Sequence, residues 1–124
     1  MKMFMRRRLT PAIRRSKQVK AMLSQPMAGK SEEEIKATRE KAIATLKEKG
    51  YEIANTLFTD EWYDGKAMEK RGVVQIPLCF LAKSLESMST CHAVYFAKGW
   101  EKARGCRIEY AAAVAYGLNI IYEE

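Results

Sequence analysis

The chain has 124 residues, 48% hydrophobic and 30% charged, with seven glycines and three prolines; this suits one globular domain and excludes a fibrous or wholly disordered chain. No apolar run approaches the roughly 18 residues that span a bilayer, and residues 1–16 carry bases without the apolar stretch of a secretory signal. The cysteines Cys79, Cys91 and Cys106 are odd in number and form no CxxC, which argues against a disulfide framework and for a reducing cytoplasm.

The net charge of +7 is concentrated at one end. Lys2, Arg6, Arg7, Arg8, Arg14, Arg15 and Lys17 face no acid before residue 19, and the rest of the chain is neutral, with fifteen bases against fifteen acids. Residues 1–18 therefore read as a basic, flexible tail ahead of a domain at 19–124. A weak RNA, DNA or anionic-lipid contact through this tail stays open, but it does not define the domain.

Val19–Ser24 is a short apolar run that stops at Gln25-Pro26, the pattern of a buried strand. Ser31 and Glu34 form a capping box with three acids on the positive end of a helix dipole. Ile35, Ala42, Ile43 and Leu46 then recur at helical spacing until Lys47, Lys49 and Gly50 end the helix. A second strand is expected over 51–57 and a long polar and aromatic loop over 58–72. Residues 73–90 read as a helix with Pro77 near its first turn, 93–97 as a third strand and 98–105 as a glycine-bounded loop. A last helix over 106–116, with Gly117 after it, leads to a final strand at 118–122. Strands alternating with helices predict an α/β three-layer sandwich: a flavodoxin- or Rossmann-like parallel sheet of four to five strands, helices on both faces. Ligands of such sheets bind beyond the carboxyl ends of the strands, at the point where strand order reverses. The loops 25–30, 58–72 and 98–105 fall at that edge, and Cys91 and His92 at the opposite one.

Ser24-Gln25-Pro26-Met27-Ala28-Gly29-Lys30-Ser31 ends like a Walker A loop, but Ser24 stands where its first glycine belongs, so an NTPase is disfavoured. An anion held at the following helix N-terminus and a plain capped turn both remain open. His92 and the three cysteines match no zinc spacing, and Ser-His-Asp chemistry fails because His92 lies at the wrong edge. Glu109 is the stronger candidate. It sits early in the last helix, whose expected inner face is Ile108, Ala112 and Ala115. Before it comes a loop with Gly99, Trp100, Lys102, Arg104 and Gly105. Dipole and cations would keep this carboxylate ionised, which suits a nucleophile or a hydroxyl-binding group. A solvated pair with Arg104 or Arg107 is the plainer alternative. In the stretch FTDEWYD, Trp62 and Tyr63 are candidates for stacking on a base, and Asp60, Glu61 and Asp64 for moving a proton. A surface loop anchored by two rings explains the same residues.

The segments LSQPMAGKSEEEI, IPLxxLAKSLE and YFAKGWEKARGCRIEYAAAVAYGL resemble a small bacterial and phage family, domain of unknown function 4406. That family in turn resembles the nucleoside 2-deoxyribosyltransferases and deoxynucleotide N-hydrolases. The resemblance covers about residues 19–123 and implies that Glu109 is the catalytic nucleophile toward a nucleoside or nucleotide, with no cofactor and no metal. It implies that Ser24, Gln25, Pro26, Met27 and Gly29 hold sugar or 5′-phosphate. Gly99, Trp100, Arg104 and Gly105 would close over the ligand, and Asp60 and Ser84 would line it. Two positions depart from the pattern: Ser84 replaces an aspartate near the sugar or base, and Ala103 replaces a phosphate-binding serine. These departures favour a non-catalytic nucleotide-binding protein as the alternative, and an interaction protein working through the basic tail is a third reading. A homo-oligomer is also implied.

Overall fold

A computed structural model describes residues 19–54 and 61–124; the basic tail, Asp60 and the end of the expected second strand lie outside the described residues. Strand β1 is Val19–Ser24, followed by helix α1 over Glu32–Glu48 and strand β2 over Tyr51–Ile53. A 3-10 turn at Glu61–Tyr63 precedes α2 at Gly65–Lys70 and α3 at Ile76–Met88. Strand β3 is Ala93–Phe96, a second 3-10 turn is Trp100–Lys102, α4 is Arg104–Ala115 and β4 is Asn119–Tyr122. No helix among the described residues is long and apolar enough to cross a membrane.

The local signals explain the starts and stops. Ser31 accepts from the Glu34 amide while the Glu34 carboxylate accepts from the Ser31 amide, so both arms of the capping box are made. Gly50, at φ +91°, turns the chain out of α1 and directly into β2. The expected loop over 58–72 needs correcting. Asp64 accepts from the Ala67 amide at 2.9 Å and so nucleates the short helix α2. Pro77 falls in the first turn of α3, where its missing N–H costs nothing.

Among the described residues the sheet has four parallel strands in the order β2-β1-β3-β4, at the lower end of the expected four to five. Chain order runs one way from β1 to β2 and the other way from β3 to β4, which puts the switch point between β1 and β3. There Ser24, the last residue of β1, pairs with Phe96, the last of β3. Alternation along the strands divides the core. Ala21, Leu23, Ala93, Tyr95 and Ala97 pack with Ala42 and Leu46 of α1 on one face. Met22, Val94 and Phe96 pack with Met88 and Ala113, beneath α3 and α4, on the other. Ser24 follows Met22 by two residues, so its side chain belongs to the α3–α4 face.

Candidate functional site

At that face the polar side chains gather around one carboxylate. Glu109 is in the second turn of α4 and only 8% exposed, and Ser24 is 2% exposed. The Ser24 Oγ donates to Glu109 Oε1 at 2.5 Å, joining positions 85 residues apart. Burial pushes the Glu109 carboxyl above its ordinary range, while hydrogen bonds from the hydroxyls of Ser24 and Ser84, the latter on α3, pull it partly back. The expectation of a carboxylate kept ionised by dipole and cations is therefore reversed in direction. Arg104 and Arg107 are exposed, and the groups bonded to Glu109 are hydroxyls.

The cause is the rotation of α4. Of the expected inner face Ile108, Ala112 and Ala115, only Ala112 packs against the core: Cys106, Glu109 and Ala113 are buried, whereas Ala115 is exposed and Ile108 is 42% exposed. Tyr110 fixes this rotation. It stacks on Trp100 with centroids 4.1 Å apart and meets Phe96 edge-on at 5.2 Å. A helix rich in alanine has little apolar bias of its own, so these rings, together with the hydroxyl offered to Glu109, decide which side turns in. Cys106 joins the site from the same face, three residues before Glu109. Burial raises its thiol, a hydrogen bond with Ser24 lowers it, and the Glu109 charge raises it, for a net upward shift. The i to i+3 spacing of Cys106 and Glu109 is the signal in the sequence that places both on one side of the helix.

The loop residues from the sequence follow the carboxyl ends of β1 and β3. Pro26 and Gly99 bring two loops together: a Cβ added to Gly99, itself at φ +89°, would lie 3.6 Å from Pro26 Cγ. Gln25 donates to the Ile35 carbonyl at 3.2 Å and so ties its loop to α1. Met27 is 58% exposed. Gly29 takes φ +77° in the turn closed by the Lys30 amide on the Met27 carbonyl. The Trp100 ring is packed among Phe96, Tyr110 and Tyr122. Gly105 is half-buried in the first turn of α4, after the exposed Arg104. Ala103 caps that helix with no side-chain hydrogen bond.

Other candidates are drawn elsewhere. Asp64 is occupied as the cap of α2. Trp62 lies under the Arg71 guanidinium at 3.8 Å, and Tyr63 approaches Phe80 with centroids 6.4 Å apart, which fits an anchored surface segment. Cys91 and His92 are at the amino end of β3, where the Lys20 amide donates to His92 Nδ1 at 3.3 Å, far from the site as expected. Among the described residues no three His, Cys, Asp or Glu side chains converge as metal ligands. One contact went unforeseen: Glu123 accepts from the Lys98 amide at 2.8 Å and pairs with Lys41 at 3.1 Å. Burial raises its carboxyl, but the Lys98 amide and the Lys41 ammonium outweigh this and hold it below its usual range. The strut anchors the start of the loop that leads to Trp100.

A family model described as Domain of unknown function (DUF4406) matches residues 19–122, nearly the whole described chain. The chain belongs to the DUF4406 family. The match begins at the first residue of β1 and ends at the last of β4, so the family corresponds to the α/β domain and leaves out the basic tail. No curated protein and no solved structure matches the chain. The family description names a domain and no reaction, so chemistry has to be argued from the site.

Proposed function

We propose that this DUF4406 protein acts on the N-glycosidic bond of a nucleoside or nucleotide, with Glu109 as nucleophile. The observation that carries the reading is the pairing of buried Glu109 with Ser24 at the switch point of the sheet, where α/β folds bind ligands. A carboxylate whose basicity is raised by burial is a better nucleophile once ionised. Attack of Glu109 on the anomeric carbon forms a C–O bond as the C–N bond breaks. The base leaves with the electron pair and takes its proton from solvent water, and water or a second base then releases the sugar from Glu109. Ser24 and Ser84 hold the carboxylate in place. The loops around Pro26 and Gly99 hold the ligand.

A second reading has its own support. The groups that act on Glu109 are the hydroxyls of Ser24 and Ser84, and neither is an acid able to protonate a leaving base at neutral pH. General acids contribute about 10²–10⁴-fold to such rates, so a nucleotide-binding protein without turnover fits the same site. A panel of nucleosides, deoxynucleoside monophosphates and NAD-like compounds separates the two: free base is expected from the native protein and none from Glu109→Ala. Binding by calorimetry without base release would favour the binder. Base release undiminished in Glu109→Ala would sink the catalytic role.

A further inference from the structure

Helix α4 is largely apolar on the side that faces away from the sheet. Its buried residues are Cys106, Glu109 and Ala113. At about 100° per residue, the opposite side carries Arg104, Arg107, Ile108, Ala111, Val114 and Ala115, all of them exposed. A solvent-facing helix stripe is ordinarily polar, yet four of these six side chains are apolar, with Ile108 42% and Val114 52% exposed. Tyr116, just past the helix end, is 84% exposed.

The charges on α4 point to what covers this side. Its first turn contains Arg104 and Arg107 and no acid, and its last turn contains no base. Both arginines therefore sit at the positive end of their own helix dipole, where cations are disfavoured. A second α4 laid antiparallel reverses this mismatch. Each pair of arginines then meets the negative end of the other helix, where the exposed Tyr116 ring offers a face for a guanidinium. The stripe is also self-complementary about Ala111. Ile108 and Val114 are each three residues from it, and Arg107 and Ala115 each four, as a two-fold interface requires. An alanine at the centre lets the two helices approach closely. The other segment available in the chain, residues 1–18, carries seven bases and would set like charge against Arg104 and Arg107.

We propose that the outer side of α4 is a homodimer interface, with two copies packing α4 against α4 antiparallel about Ala111. This pairing is independent of the chemistry assigned to Glu109. The test uses the full chain. Sedimentation velocity at tenth-millimolar concentration is expected to give twice the chain mass. Ala111→Asp is expected to give monomer with an unchanged circular dichroism spectrum, and Arg107→Glu to raise the dimer dissociation constant by at least about tenfold. Ala111→Cys, on the dyad, is expected to yield a covalent dimer on oxidation with diamide, whereas Lys36→Cys on α1 does not. A monomeric native chain overturns the proposal. So does a dimer that Ala111→Asp fails to dissociate or that Ala111→Cys fails to cross-link.

Discussion

Replacing Ser24 by alanine removes the hydroxyl that donates to Glu109 at 2.5 Å within a site almost closed to solvent. A hydrogen bond to a charged group contributes about 1.5–3 kcal/mol, and about 1.4 kcal/mol corresponds to one pH unit of titration. Glu109 already titrates above its ordinary 4.5 because it is buried. Without Ser24 its midpoint is expected to rise further, because the ionised form loses more than the neutral one. Carboxyl carbon NMR across a pH series, on the native protein and Ser24→Ala, measures the change directly. The sign also fixes the stability effect. A folded-state value above the unfolded one means stability is lost as pH rises through the folded value. Ser24→Ala widens that gap, so its cost is largest where Glu109 is ionised and shrinks to about 1 kcal/mol in acid, where the carboxyl is neutral. A midpoint that stays put or falls would refute the coupling of the two side chains.

Glu109→Gln removes the buried charge while keeping the shape. Urea melts are expected to show it more stable than the native protein at neutral pH, with the difference closing as pH falls toward 4.5, the ordinary carboxyl value. If Glu109 is the nucleophile, the native rate should fall on the acid side with a midpoint above the ordinary carboxylate range, and Ser24→Ala should move that midpoint up. Ser31→Ala breaks the capping box of α1 and is expected to cost about 1 kcal/mol in thermal or urea unfolding. Leu46→Ala, at a fully buried position on the sheet-facing side of α1, is expected to cost about 2–5 kcal/mol by the same measurements.

Much of the architecture was legible because its signals are local. The capping box at Ser31 and Glu34 is complete within four residues, Val19–Ser24 matched its strand residue for residue, and the alternation of elements implied the parallel sheet. The polar stretch before α3 read as loop because α2 has only six residues and depends on a single Asp64 cap rather than on periodicity. The site was legible in position and not in character. Glu109 and the ligand edge followed from the order of elements, but the partners of Glu109 did not.

Sequence alone determined the strands and the three longer helices, their order and the edge at which Glu109 stands, since hydrogen bonds and turn preferences within a few residues encode these. The tertiary structure decided the rotation of α4, because aromatic packing among Phe96, Trp100 and Tyr110 outweighs the weak apolar bias of an alanine-rich helix. That rotation turned Ile108 and Val114 to the surface. It also took Glu109 out of solvent and set it against Ser24, 85 positions earlier in the chain. Whether a carboxylate is stabilised by a cation or buried against a hydroxyl depends on what lies across the sheet, and residue spacing along one helix does not contain that information.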